Sequence, residues 1–321
     1  MNNKREVDCS IVIVNYNTSN LIIDLIEGIE SFNNKYSYEF IVVDNASPND
    51  QPELIKGASS NVELINNDIN EGFGRANNIG IKLATGRYIL LLNSDTEVFD
   101  NALDKCLEFM ESKFSIENNV GLMGCQLLNK DGSHQLSTFQ KFYLWNYLIA
   151  SNSLLSRFRK RGSISSKQSG FVAGVSGAFM LFRSEVFQKV KPFDPDIFMY
   201  SEETELCRKR VGKFFNIYYW ADASIIHHGG ASTKNQLILQ EMVSFALMWY
   251  KKGPILYFIF IASTVINRVT DLLLIAFMKA DNRYNCWKRL KMTPRFLYYL
   301  FFEIPRFSGE WGGRPNPLKV V

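Results

Sequence analysis

Within the first hundred residues, short β-branched and apolar runs alternate with amphipathic stretches, and this rhythm constrains the chain more than any other feature. Residues 10–14, 40–43, 62–65 and 88–92 have the length and composition of strands. Residues 21–32 and 72–84 place apolar side chains at helical spacing, the first with Ser19 or Asn20 near its N-cap. Strands separated by helices make βαβ units, in which the strands run parallel and the helices cover the sheet. The expected fold class is therefore α/β, with a mostly parallel sheet flanked by helices. Residues 88–92 are apolar throughout, as a strand buried on both faces must be.

In open sheets of this kind ligands bind beyond the carboxyl ends of the strands. Polar, specific residues stand there: Asn15, Tyr16 and Asn17 after the first strand, Asp44, Asn45 and Ser47 after the second, and Asn93, Ser94 and Asp95 after the buried one. A dinucleotide fold would put a glycine-rich phosphate turn after its first strand. That turn holds no glycine here, and Gly72 and Gly74 come much later without a third at the required spacing, which argues against a nicotinamide dehydrogenase. The second half is less regular. Residues 151–170 form a loop whose Arg157, Arg159, Lys160 and Arg161 either meet a phosphate or only solvate it. Residues 171–182 return to strand-like sequence, and 202–211 read as a helix.

Five scattered cysteines without a C-x-x-C pair argue against a disulfide framework and a cysteine-ligated zinc, and for a reducing compartment. No secretory leader pattern opens the sequence, so the expected location is cytosolic. Charge is uneven. Residues 251–321 hold twelve Lys and Arg against four Asp and Glu, a net +8, which leaves −4 on residues 1–250. A basic, aromatic-rich tail suits an anionic surface, and its apolar run over 254–280 points to a membrane rather than to nucleic acid. A spanning helix needs about 20 apolar residues with few charges. Asn267, Arg268 and Asp271 interrupt the run, so two interfacial helices, one either side of them, are expected, with peripheral attachment. The domain expectation is a catalytic domain over 1–250 and a helical membrane-associating extension over 251–321.

Three groups carry chemistry. Asp95, at the mouth of a buried strand, either holds Mg²⁺ or Mn²⁺ or caps the following turn. His227 and His228, two of three histidines, precede two glycines and offer a nitrogen ligand. Glu202 and Glu203 sit at a helix start, where acids either act as a base or complement the helix dipole.

Taken in order, these stretches resemble the family-2 inverting glycosyltransferases of the GT-A fold, and among them a rhamnosyltransferase-like bacterial branch. The resemblance rests on residues 10–18 (SIVIVNYNT), 41–47 (IVVDNAS), 70–80 (NEGFGRANNIG), 86–95 (GRYILLLNSD), 176–183 (SGAFMLFR), Phe193 with Asp194, 198–203 (FMYSEE) and 227–232 (HHGGAS). It covers about residues 8–250. It implies that Asp44 contacts the nucleotide base, with Asn15, Asn17 and Asn77 near the nucleoside. Asn93-Ser94-Asp95 stands where the family has D-x-D, which makes Asp95 a metal ligand, and His227 falls on the family's metal- and diphosphate-contacting histidine. Gly177 and Ala178 would border sugar and acceptor, and Glu203 would be the base. The chain departs from the pattern with Glu at 203 and 205 in place of Asp, and with Lys191-Pro192 in place of small glycines. The first departure leaves the base open between Glu203 and Glu202.

The implied activity is transfer of a sugar from a nucleotide-sugar donor, dTDP-rhamnose by branch similarity with UDP- and GDP-sugars open, to a lipid-linked saccharide of cell-surface polysaccharide synthesis. The rivals are a sugar-phosphate nucleotidyltransferase, whose basic glycine-rich loop is absent after the first strand, and a non-catalytic sugar-nucleotide-binding protein.

Overall fold

The structure is a computed structural model that describes residues 7–32, 34–139, 167–229, 237–277 and 280–306. They fall into two units. One comprises residues 1–140, 163–198 and 202–232, the other 141–162, 199–201 and 233–321. The loop arginines at 157, 159 and 161 and Lys160 lie outside the described residues, as do Gly230, Ala231 and Ser232.

In the first unit the elements are β1 (Cys9–Asn15), α1 (Ser19–Glu30), β2 (Tyr38–Asp44), β3 (Val62–Asn66), α2 (Phe73–Leu83), β4 (Tyr88–Leu92), β5 (Thr96–Glu97), α3 (Ala102–Glu111), α4 (Lys113–Glu117), β6 (Val120–Leu128), β7 (Thr138–Phe139), β8 (Gly170–Phe171), β9 (Gly174–Val175), β10 (Phe179–Arg183), α5 (Val186–Lys189), α6 (Glu202–Lys209) and β11 (Asn216–His227). The main sheet runs β3-β2-β1-β4-β10-β6-β11-β5. β3, β2, β1 and β4 are mutually parallel, β6 and β11 are parallel, and β10 and β5 run antiparallel to their neighbours.

Alternation along each strand sends side chains to two cores. Ile11, Ile13, Phe40 and Leu90 face one, together with the Ile22, Leu25, Ile26 and Ile29 stripe of α1. Val12, Ile41, Ile89 and Leu91 face the other. There α2 lies against β1 through Gly80, where a Cβ would come within 2.3 Å of Val12 Cγ1, so only glycine permits the approach. The strand-like sequence at 171–182 is broken into β8, β9 and β10. The 202–211 helix stops at Lys209, and a 3₁₀ turn follows over Val211–Lys213.

The second unit is helical: α7 (Leu237–Tyr250), α8 (Pro254–Leu274) and α9 (Ala280–Tyr298), followed by a π-helical turn over Tyr299–Glu303. The expected break at Asn267, Arg268 and Asp271 is not there, because α8 runs through all three. Hydropathy counts these residues as interruptions, but Arg268 and Asp271 pair with each other. Tyr257, Phe260, Thr264, Asn267 and Asp271 form one buried stripe at helical spacing, and Arg268 Nη1 pairs with Asp271 Oδ2 at 3.2 Å. Ile255, Phe258, Ile266, Val269, Leu272 and Leu273 face outward. The apolar face of this helix is its exposed one.

Candidate active site

β1 and β2 end in register at Asn15 and Asp44, which places two polar side chains side by side at the carboxyl edge of the sheet. Asn15 Nδ2 donates to Asp44 Oδ1 at 2.8 Å and to Asp50 Oδ2 at 3.0 Å, while Asn15 Oδ1 accepts from Thr18 N and Thr18 Oγ1 at 3.0 and 2.9 Å. Ser47 closes the cluster, its Oγ donating to Asp44 Oδ1 at 2.6 Å and its N donating to Asp44 Oδ2 at 3.1 Å. Asp50 was not singled out in the sequence. Its Oδ2 also accepts from Ser19 N and Ser19 Oγ at 3.0 and 2.7 Å, which ties the start of α1 to the loop after β2. Burial raises the Asp50 carboxyl, but the donors of Ser19 and Asn15 outweigh it and hold it below the usual range. Asn17, at φ 58°, is exposed and accepts Asn49 N at 3.0 Å. Asn77 is not brought into this cluster. It is buried in α2, donating to Phe73 O at 2.9 Å.

A second cluster forms at the mouth of β4. Asn93 N donates to Ala178 O at 3.1 Å, and the Ala178 side chain itself lies in the core. Asp95 and His227 are 132 residues apart in sequence but meet because β5 pairs with the end of β11, His227 opposite Thr96. His228 N donates to Asp95 O at 2.9 Å and locks that pairing. His227 Nε2 then stands 3.3 Å from Asp95 Oδ1, and Asn93 Nδ2 lies 3.4 Å from the same nitrogen. Asn93 Oδ1 is buried without a hydrogen-bond partner.

This donor set fits a hard divalent cation. It offers one carboxylate, one imidazole nitrogen aimed at it, and an amide oxygen that lacks a partner. Among the described residues no group of three or more His, Cys, Asp or Glu converges. A cation held here by Asp95 and His227 would therefore complete its shell with diphosphate and water oxygens, as such ions commonly do.

The third group lies at the start of α6. Tyr200 and Ser201, with φ of 67° and 69°, turn the chain through the left-handed region immediately before Glu202. Glu202 is buried, with Oε2 lacking a hydrogen-bond partner, and burial followed by the adjacent Glu203 pushes its carboxyl well above the usual range. Glu203 is half-buried and stands beside Gly177, where a Cβ would lie 3.8 Å from Glu203 Cβ. The turn at 176–178 thus joins the Asn93 cluster to Glu203. Glu205 is a structural acid: Arg210 Nε donates to its Oε2 at 2.7 Å, and Arg210 Nη1 also meets Pro192 O at 2.6 Å.

The segment before α6 is clamped by α2. Phe73 N donates to Phe198 O at 2.9 Å, Arg75 Nε to Pro195 O at 2.7 Å, and Asn78 Nδ2 to Phe193 O at 2.9 Å. Gly72, at φ 84°, is required by the same contact, since a Cβ there would sit 2.2 Å from Phe198 O.

Comparison with known proteins accords with this layout. The family profile of glycosyl transferase family 2 matches residues 10–191, more than half of the chain. The rhamnosyltransferase WbbL of Escherichia coli K12 is 24% identical over 254 residues, 77% of this chain and 91% of that protein. An uncharacterised glycosyltransferase of Rickettsia bellii is 36% identical over 116 residues, 36% of this chain, and the match spans only 16% of that longer protein. Among solved structures, the mannosyltransferase PcManGT of Pyrobaculum calidifontis, in complex with GDP-Man and Mn²⁺, superposes with a TM-score of 0.54 at 12% identity, covering 95% of this chain and 84% of that one. At that identity the likeness speaks for the fold alone. The mostly parallel sheet flanked by helices is of the GT-A type, and the chain belongs to glycosyl transferase family 2.

Proposed function

We propose that the chain is an inverting, metal-dependent glycosyltransferase that moves a hexosyl group from a nucleotide sugar to a saccharide or lipid-linked acceptor in cell-surface polysaccharide synthesis. The observation that carries this reading is the meeting of Asp95 and His227 at the mouth of β4, one short turn away from Glu203. A bound Mg²⁺ or Mn²⁺ would supply charge neutralisation of the departing diphosphate. The chain's own residues do the rest. Asp95 and His227 would hold the cation. Asn17 and Asp44 line the nucleoside end, with the fully buried Asn15 holding Asp44 in place, and Asn93, Gly177 and Ala178 shape the floor between them. Asn77 acts at one remove, by keeping α2 in place.

Glu203 takes the proton of the acceptor hydroxyl as its oxygen bonds to the anomeric carbon and the bond to the diphosphate oxygen breaks, which inverts that carbon. Glu203 is preferred over Glu202 because a base must be ionised and reachable. Glu202 is buried and biased toward its protonated form, whereas Glu203 is half-buried beside the Gly177 gap. The likeness to WbbL favours a rhamnosyl donor, and UDP- and GDP-sugars stay open.

The tail supports work at the cytosolic face of a membrane, peripherally bound to anionic lipid. α8 has 21 residues, about 31 Å at 1.5 Å per residue, and it shows apolar residues outward and polar ones inward. That polarity suits a helix lying in the interface with its apolar face in hydrocarbon and Lys251 and Lys252 among headgroups. The deciding experiment incubates the purified full chain with a panel of nucleotide sugars and Mn²⁺ or Mg²⁺. Slow metal-dependent release of nucleoside diphosphate from one donor is expected. Turnover of none, or full turnover in excess chelator, would overturn the reading. Flotation with anionic vesicles, reversed by high salt, is the expected membrane behaviour, and failure to float at low salt would remove the tail's proposed role.

A further inference from the structure

Beyond the carboxylate and the imidazole, the structure fixes which nitrogen of His227 is bare. After β6 the chain makes a tight turn, with Asn129 N donating to Ser133 O at 2.7 Å and Gly132 N to Asn129 O at 2.9 Å. Gln135 N then returns to Leu127 O at 2.9 Å, so the residue stands on an anchored backbone. Its amide is oriented by its own donors: Nε2 donates to Asn129 Oδ1 at 2.7 Å and to the His227 backbone oxygen at 2.5 Å. With the nitrogen so engaged, Oε1 is the atom that faces His227 Nδ1, at 2.9 Å. An amide oxygen only accepts, so Nδ1 must carry the proton. A neutral imidazole has one N–H, which leaves Nε2 with a lone pair pointing toward Asp95 Oδ1, 3.3 Å away. Asn93 Nδ2 can donate to that nitrogen from 3.4 Å, but the carboxylate cannot. With the ring neutral, two acceptors face each other at this distance, and a cation between them would satisfy both.

We propose that Gln135 is a positioning residue: it holds His227 as the Nδ1–H tautomer and turns Nε2 toward Asp95 and a divalent cation. The tautomer follows from the hydrogen bonds alone, and the cation rests on the metal reading given above. In the opposite tautomer, the Nδ1 lone pair would face the Gln135 oxygen and a part-buried hydrogen bond would be lost. Asp95 favours a proton on Nε2, and Gln135, at the shorter contact, opposes it, while His228 Nε2 faces Glu97 Oε2 at 3.6 Å.

The test uses the full chain, metal-free, with ¹⁵N-labelled histidine, because long-range ¹H–¹⁵N spectra separate the two tautomers. His227→Gln assigns the resonance among the three histidines. The wild type is expected to show Nδ1–H, and Gln135→Glu, which keeps an acceptor oxygen, is expected to retain it. Gln135→Leu should move the population toward Nε2–H and, in a Mn²⁺ titration followed by electron paramagnetic resonance, weaken binding roughly 10- to 100-fold. If the leucine variant does not fold, Asn129→Ala removes one of the two groups that orient the amide and should shift the tautomer in the same direction. Nε2–H in the wild type, or Nδ1–H persisting in both variants, overturns the assignment. Unchanged Mn²⁺ affinity in Gln135→Leu, with the wild type binding, overturns the positioning role. A wild type that binds no Mn²⁺ sinks the metal reading instead, while the tautomer result still decides what Gln135 does.

Discussion

Two polar clusters sit at the carboxyl ends of neighbouring strands, and they are built to opposite specifications. At the end of β1, Asn15, Asp44, Ser47, Asp50 and Ser19 match donors to acceptors among themselves. At the end of β4, Asn93 Oδ1 has no partner, and a carboxylate oxygen faces an imidazole nitrogen. Buried polar groups are nearly always paired, and a missing partner is costly unless something else supplies it. A cluster complete in itself holds loops in place and offers a ligand its outer surface. On the metal reading proposed above, the incomplete cluster would be completed by a cation. Edge position alone does not distinguish the two, since both stand where α/β sheets bind ligands.

Substitutions should separate them. In the incomplete cluster, Asp95→Ala is expected to lower nucleotide-sugar turnover by roughly 10³-fold with little change in melting temperature. A variant that melts many degrees lower would show that Asp95 serves the fold. Next in size, Glu203→Gln should cut kcat by roughly 10²-fold with donor affinity nearly unchanged, as measured by nucleoside diphosphate release and by donor titration. If Glu202→Gln is the damaging change and Glu203→Gln the mild one, the two acids exchange roles.

In the complete cluster the expectation reverses. Asn15→Ala strips donors from Asp44 and Asp50 together and should destabilise the fold by about 2–3 kcal/mol. The fall would appear in the urea midpoint, while the folded fraction turns over donor within a few-fold of the wild type. A loss of activity as large as that of Asp95→Ala, at unchanged stability, would show that Asn15 itself handles the nucleotide and would collapse the contrast.

Much of this arrangement was legible in the sequence, and the exceptions have physical causes. β1, β2, β3, β4 and α1 begin and end within about two residues of the apolar patterns that announce them, because both faces of the sheet are covered. Asn15, Asp44 and Asp95 could be placed as strand-end residues for the same reason. The meeting of Asp95 with His227 could not, since it depends on a two-residue strand, β5, pairing with the far end of β11. Asp50 and Gln135 escaped notice because their partners lie 31 to 35 and 92 residues away and neither belongs to a periodic pattern. α8 was split in the reading because hydropathy sees Arg268 and Asp271 as two charges, whereas the helix sees one ion pair turned inward. The segmented strand over 170–183 had no signal beyond its glycines.

The smallest effect concerns stability alone and uses the two adjacent glutamates as their own control. Burial first, and then the nearby Glu203, push the Glu202 carboxyl well above the usual range. A carboxyl whose folded-state pKa is raised binds its proton more tightly in the folded chain than in the unfolded one. Its favourable contribution is therefore fully present below the unfolded value and is lost as pH rises through the folded one. At neutral pH the wild type must either keep a proton on Glu202 that the unfolded chain would release or bury a charge. Glu202→Gln removes that penalty while keeping the shape, so it should raise the melting temperature at pH 7, with the gain shrinking as pH is lowered toward the ordinary carboxylate range. Glu203→Gln, at a half-buried site, should change the melting temperature less. Thermal melts of the two variants and the wild type between pH 4 and pH 8 provide the comparison. A Glu202→Gln curve parallel to the wild type at every pH would mean that this carboxyl is solvated in solution, and Glu202 would then return as a candidate for the base.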